Sequence, residues 1–80
     1  MNKYVIPLNH ATIGNRLTVV KVRTEKNQEL NRLKQLNIRP GSCLRILQLN
    51  KFEPLVIAVG DARIAINYNL AKSILVRSEC

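Results

Sequence analysis

The sequence predicts a mainly β protein, a small closed barrel of about five short strands with one short inserted α-helix. Three observations lead to this prediction. Leu, Ile and Val supply 26 of the 80 residues, which is enough for a packed core and far too many for a disordered chain. The apolar residues occur in short runs that turn-forming residues separate. The length allows one domain only, so residues 1–80 are expected to fold as a single unit.

The strands are identified by β-branched and aliphatic runs. They are predicted at residues 17–22, 42–48, 55–59, 62–66 and 74–76. Pro40 and Gly41 suit the two central positions of a type II turn, because Gly takes the positive φ there. Gly60 and Asp61 lie between two strands, and a glycine in first position predicts a two-residue type II′ hairpin. Closing these strands into a barrel would remove the sheet edges.

One clear helix is predicted over residues 25–36, packed over one mouth of the barrel. Its apolar stripe consists of three leucines spaced three apart, Leu30, Leu33 and Leu36. Thr24 or Asn27 is expected to cap its start. Asn37 occupies the position of a left-handed C-terminal cap, where Asn is second in preference to Gly.

Two shorter segments complete the prediction. Residues 67–73 are expected to form a helical turn that Asn67 or Asn69 caps, and the N-terminal region is expected to be a loop that contains His10. The longest uninterrupted apolar stretch, residues 55–59, is far shorter than the ~20 residues that span a bilayer. A soluble protein of a reducing compartment is therefore expected.

Residues that could carry chemistry are few and scattered. The five carboxylates are explained by turns and helix ends, and no catalytic motif is present, so no enzymatic activity is predicted. His10, Cys43 and Cys80 are the candidate metal ligands, although their spacing forms no local chelate. Two cysteines are too few for a disulfide scaffold, and a single bridge between them stays open.

The charge is strongly positive, with 13 Lys and Arg against 5 Asp and Glu for a formal net charge of +8. Such a field favours an anionic partner, whether nucleic acid, lipid headgroups or an acidic protein. A basic stripe is expected from Arg16, Lys21, Arg23, Arg32 and Lys34. Aromatic residues that could stack on bases are limited to Tyr4, Phe52 and Tyr68. A nucleic-acid-binding barrel is nevertheless kept as an alternative.

Several segments, taken in order, resemble the ferrous iron transport protein A (FeoA) family. The most specific is RLKQLNIRPG at residues 32–41, which is similar to the family pattern R-L-x-x-L-G-[IM]-x-P-G, with Asn37 where the family usually has Gly. Shorter matches are Pro7-Leu8, Gly14, residues 54–57, Gly60, residues 64–66, Ala71, Ile74 and Val76. The resemblance extends from Pro7 to Arg77.

This resemblance implies an SH3-like barrel with an inserted helix. It implies a small accessory protein of bacterial ferrous iron uptake. The implied location is the cytoplasm, with peripheral association at the inner face of the membrane. Its expected partner is the cytosolic part of the membrane ferrous iron permease, which carries a GTP-binding domain. We expect Arg32, Lys34 and Arg39 to contact that partner. No tightly bound cofactor is expected, only transient ferrous iron or another divalent metal.

Two alternatives stay open beside this prediction. The same domain type occurs in iron-dependent repressors, so a regulatory domain is one alternative to an accessory protein. A metal-responsive module is another, in which His10 or a cysteine bridges two copies through a metal ion. The sequence leaves the oligomeric state undetermined.

Overall fold

The computed structural model describes residues 4–50 and 52–79. These residues form six strands in one antiparallel sheet, in the order β1-β6-β2-β3-β4-β5. The strands are β1 (Val5–Pro7), β2 (Arg16–Val22), β3 (Cys43–Gln48), β4 (Leu55–Val59), β5 (Ala62–Ile66) and β6 (Ile74–Arg77). The helices are a 3-10 turn (Leu8–His10), α1 (Asn27–Gln35) and α2 (Tyr68–Ala71). None of the helices within these ranges is long and apolar enough to cross a membrane.

The mainly β, SH3-like prediction is confirmed, with the difference that the strand ladder is open. β1 pairs only with β6 and β5 only with β4, so these two strands lie at opposite edges of the described sheet. Two bulges bend the sheet. Val20 is the extra residue of β2 opposite β6, and Leu47 is the extra residue of β3 opposite β4. An extra residue bends a strand and increases its twist, which curls the sheet without joining its edges.

The hydrophobic core lies against one face of the sheet, because strand residues alternate between the two faces. Its strand residues are Leu17, Val19, Leu44, Ile46, Leu55, Ile57, Ile64, Ile66, Ile74 and Val76. The segments between the strands add Leu8, Ala11, Leu33, Ile38, Leu70 and Ala71. Complete burial of one large aliphatic side chain contributes about 1.5–3 kcal/mol, so this layer accounts for the stability of a chain with so few aromatic residues.

The C-terminal end of α1 is fixed by a Schellman motif, as the position of Asn37 predicts. The Ile38 N–H donates to the Leu33 carbonyl at 2.8 Å, and the Asn37 N–H donates to the Lys34 carbonyl at 3.0 Å. Asn37 has φ of 64°, the left-handed conformation that this motif needs. Leu33 and Ile38 are both about 1% exposed. Of the predicted leucine stripe, Leu33 is therefore fully buried, while Leu30 and Leu36 are half-buried.

The predicted N-terminal cap of α1 is wrong. Lys26 is the N-cap residue and no side chain caps the helix, so neither Thr24 nor Asn27 has that role. The Thr24 hydroxyl instead accepts from the Lys26 N–H at 3.3 Å and donates to the Glu29 carboxylate at 2.5 Å. Thr24 lies too far before the helix to reach the free N–H groups of its first turn, and its local bonds occupy it there.

The predicted turns are confirmed. The Ser42 N–H donates to the Arg39 carbonyl at 2.9 Å across the Pro40 and Gly41 turn, and Gly41 has φ of 95°, as a type II turn requires. In the β4–β5 hairpin, Val59 pairs with Ala62 and Gly60 has φ of 59°. The hairpin turn therefore has its positive φ at the first central position, as type II′ demands.

Two predictions at the ends of the chain have different outcomes. The Asn67 side chain caps α2, accepting from the Leu70 N–H at 2.7 Å. Of the two predicted cap residues, Asn67 and Asn69, the first is therefore the cap. The N-terminal loop prediction is wrong, because β1 pairs with β6 and His10 is the last residue of the 3-10 turn. The three residues of β1 are too few to give a period-two pattern, and their partner strand lies at the opposite end of the sequence.

Candidate interaction site

A shallow groove lies between α1 and the end of β2, with a volume of about 190 Å³. We call it the α1–β2 groove. Its apolar lining consists of Val22, Leu30, Leu33, Ile38 and Pro40, and its cationic rim consists of Lys21, Lys34 and Arg39. The groove exists because α1 is fixed to the sheet at its C-terminal end by Leu33 and Ile38. Leu30 is only partly covered as a result.

The structure brings two of the three predicted partner-contact residues together at this groove. The left-handed Asn37 turns the chain back after α1, which places Arg39 on the same groove as Lys34. Arg32 is exposed on α1 but lies outside the groove lining. Lys21, which the sequence placed only in a basic stripe, is the third rim residue. The position of Lys21 on the rim depends on how β2 pairs with β6, where Lys21 follows the bulge at Val20. Residue spacing alone could not predict that position.

The turn that carries Arg39 is held by hydrogen bonds to its own chain and to β2. The Ser42 hydroxyl donates to the Asn37 carbonyl at 2.7 Å and accepts from the Arg39 N–H at 3.1 Å. The Gly41 N–H donates to the Val19 carbonyl, and the Val19 N–H donates to the Ser42 carbonyl, both at 2.8 Å. A rim that is ordered before binding loses less conformational entropy when a partner arrives.

The rim cations are available to an outside partner. Within residues 4–50 and 52–79, none of Lys21, Lys34 and Arg39 forms an ion pair, and the nearby Glu29 is bonded to Thr24. An apolar floor beside unpaired cations suits a partner segment that presents an aliphatic or aromatic side chain next to carboxylates. Aliphatic side chains beside cations form a lining that is suited to binding a partner segment.

The candidate metal ligands lie on separate elements. His10 ends the 3-10 turn with its side chain exposed, and Cys43 begins β3 and is also exposed. Cys43 is disulfide-bonded, so its sulfur is not open to a metal in this state, and Cys80 lies outside the described residues. Within the described ranges, no group of three or more His, Cys, Asp or Glu side chains converges as a metal site would require.

Comparisons with known proteins agree with this architecture. The model of a family described as FeoA domain matches residues 6–78. A crystal structure of an iron uptake regulatory protein (FeoA) is 28% identical, with a TM-score of 0.82 over 92% of this chain and 96% of that chain. A search of curated protein sequences finds no match.

Two further solved structures share the fold at lower identity. The FeoA protein from Chlorobium tepidum is 22% identical, with a TM-score of 0.82 over 94% of this chain and 71% of that one. A manganese-dependent transcriptional repressor is also 22% identical, with a TM-score of 0.87 over 99% of this chain but only 44% of the repressor. At this identity the likeness concerns the fold alone.

Proposed function

The chain belongs to the family of FeoA domains, and from this premise we propose that it is a non-catalytic accessory protein of bacterial ferrous iron uptake. It acts by docking on the cytosolic part of the membrane ferrous iron permease, which carries a GTP-binding domain. This places it in the cytoplasm and at the inner face of the membrane. Its likeness to the crystal structure of an iron uptake regulatory protein supports this proposal.

The α1–β2 groove is the observation that carries the docking proposal. It combines a floor that includes the half-buried Leu30 with the unpaired cations Lys21, Lys34 and Arg39. Interfaces gain most of their affinity from a few central apolar contacts, while charged residues around them contribute to the association rate and to partner choice. Anionic lipid headgroups beside the permease would add about 1 kcal/mol for each basic residue close to the membrane surface.

The docking test is a pulldown of the permease from a membrane extract, with and without GTP and ferrous iron. We expect the unmodified chain to retain the permease and the variant K21Q/K34Q/R39Q to lose it. The matched control R23Q/K26Q/K72Q removes the same charge from other exposed positions and should retain it. Failure of the unmodified chain to retain the permease under every condition contradicts the proposal, as does equal loss in both variants.

A second candidate function, binding of nucleic acid, is favoured by the net charge of +8. Fluorescence anisotropy with a DNA duplex and a single strand tests it. Binding should weaken by about 0.9 log units per contacted phosphate for each log unit of salt. Nonspecific electrostatic binding should already appear at about 50 mM salt, so absence of binding there removes this candidate.

The metal-responsive alternative rests on His10 and Cys43. A reducing compartment keeps thiols reduced, so Cys43 stays a candidate ligand there despite its disulfide in this structure. Titration with ferrous iron or zinc under reducing conditions, followed by size-exclusion chromatography, tests the alternative. A metal-dependent dimer that H10A and C43S abolish supports it. An unchanged monomer without bound metal removes it.

A further inference from the structure

Three arginines lie in one line across the outward face of the sheet. Arg16 of β2 is directly opposite Arg45 of β3, Arg45 is opposite Ala58 of β4, and Ala58 is opposite Arg63 of β5. Paired residues of neighbouring antiparallel strands point to the same face, and all three arginines are exposed. We call Arg16, Arg45 and Arg63 the arginine row. It lies at the start of β2, whereas the α1–β2 groove lies at the end of that strand.

The arginine row has no acidic partner among residues 4–50 and 52–79. Within the part of the chain that the structure describes, none of its members forms an ion pair. Arg77 on the same face differs, because its Nε lies 3.7 Å from the Glu79 carboxylate. Like charges directly opposite each other destabilise a sheet. Arg16 and Arg45 therefore repel each other, and a bound anion would reduce this repulsion.

Two members of the row, Arg16 and Arg45, line a cleft that leaves room for an approaching chain. The cleft has a volume of about 320 Å³ and is lined by Arg16, Cys43, Leu44, Arg45, Ala58 and Gly60. Ala58 is the residue between Arg45 and Arg63 in the strand register, so a short methyl side chain separates the two arginines. A small residue at this point lets a backbone approach the sheet between the two cations. No aromatic residue lines the cleft, which disfavours base stacking and hence single-stranded nucleic acid.

The spacing of the row matches the carboxylates of an acidic helix. Neighbouring strands are about 4.8 Å apart, so Arg16 and Arg45 are separated by one strand spacing and Arg45 and Arg63 by two. A helix rises about 1.5 Å per residue, and residues at i, i+4 and i+11 lie on one stripe at about 6 and 16.5 Å along the axis. The row spans about 14 Å across three strand spacings, within reach of long arginine side chains.

We propose that the arginine row is a docking surface for a helix of a protein partner with carboxylates at i, i+4 and i+11. The helix lies across the strands, and each carboxylate pairs with one guanidinium, whose fork of N–H groups fits a carboxylate in bidentate fashion. This surface is separate from the α1–β2 groove and does not depend on the identity of the permease as the partner.

The test measures binding of a labelled peptide of about 18 residues, roughly 27 Å as a helix, by fluorescence anisotropy with the full chain. The peptide is alanine-rich and carries Glu at i, i+4 and i+11. A permuted peptide of the same composition, with its Glu residues spread around the helix, is the ligand control. We expect binding of the first peptide and at least about tenfold weaker binding of the second, equivalent to about 1.4 kcal/mol.

Matched variants separate the row from general charge. R16Q/R45Q should weaken peptide binding by at least about tenfold, while R23Q/K72Q, with the same net charge, and K34Q/R39Q in the groove should leave it unchanged. Circular dichroism confirms that each variant is folded. Equal affinity for both peptides overturns the proposal, and so does equal weakening by the control pair. Tighter binding of a DNA duplex or of anionic vesicles than of the Glu peptide also overturns it.

Discussion

Arg16 and Arg45 face each other directly across the β2–β3 ladder, on the outward side of the sheet. Their neighbours along the same strands, Leu17 and Leu44, form an opposite pair that is buried in the core. The register that packs the leucines thus forces the two cations together. Because a shift by one residue would expose the leucines, the sheet cannot separate the arginines by sliding. Substitution, a bound anion or screening by salt relieves their repulsion.

The first prediction concerns the stability cost of this pair. R45Q should raise the free energy of unfolding by about 0.2–1 kcal/mol, because it removes a like charge opposite Arg16. The gain should shrink as salt rises from about 0.02 to about 1 M, where the Debye length falls to about 3 Å. Urea unfolding at both salt concentrations measures it. If R45Q is more stable but binds the acidic peptide less well, Arg45 contributes to binding and not to folding stability.

R77Q is the matched control for that measurement. Arg77 already has Glu79 beside it, so its removal should give no gain in the free energy of unfolding. A surface ion pair of this kind contributes about 0–1 kcal/mol, and we expect R77Q to be neutral or slightly less stable. Equal stabilisation by R77Q and R45Q would show that net charge, rather than the Arg16–Arg45 pairing, is responsible.

The second prediction concerns the left-handed residue after α1. N37A should lower the free energy of unfolding by about 1 kcal/mol, because a side chain with a Cβ is strained in this conformation and alanine lacks the local hydrogen bonding of asparagine. N37G should be at least as stable as the natural chain, since glycine has no Cβ to strain. Thermal unfolding of both variants measures the difference. Equal stability of N37A and N37G would contradict the Schellman assignment.

The third prediction separates the two asparagines at α2. N67A removes the side chain that accepts from the Leu70 N–H and should lower the free energy of unfolding by about 0.5–2 kcal/mol. N67D keeps an acceptor at the same place and should retain most of the stability. N69A changes an exposed residue inside the helix and should be neutral. Chemical denaturation measures the free energy of unfolding of all three variants. A larger decrease in N69A than in N67A would refute the assignment of Asn67 as the cap.

The fourth prediction separates the two roles of the α1 leucines. L33A should cost about 2–5 kcal/mol because it leaves a cavity in the core, and L33V, which should cost less, serves if L33A does not fold. Leu30 is only half-buried, so L30A should cost about 1 kcal/mol or less and should weaken retention of the permease instead. The finding that L30A unfolds the chain would place Leu30 in the core and remove it from the docking surface.

Local signals explain which parts of the fold were predictable. The β4–β5 hairpin matches its predicted bounds, Leu55–Val59 and Ala62–Ile66, because Gly60 specifies the turn within four residues. The cap at Asn37 is likewise encoded by its immediate neighbours. β1 was missed because its pairing partner β6 is distant in sequence, and the closed barrel was expected because spacing does not reveal which strands meet at the edges.

The candidate site was predictable only along single elements. Lys34 and Arg39 are close in sequence and were expected to act together. The arginine row was missed because it runs across strands, joining residues 29 and 18 positions apart in the chain. Its register follows from the core packing of β2, β3, β4 and β5 and from the bulge at Leu47. The expected stripe of Arg16 with Lys21 and Arg23 joined residues along one strand, whereas the row joins residues of neighbouring strands.

The two open edges of the sheet are unequal. Pro7 gives β1 a position without a backbone N–H, whereas every residue of β5 has one. The edge at β5 is therefore better suited to accept a further strand than the edge at β1. If the β5 strands of two copies paired around a twofold axis, the outer edges of that assembly would both be β1 strands with their proline. Strand-mediated association would then end at two copies instead of propagating into a fibril.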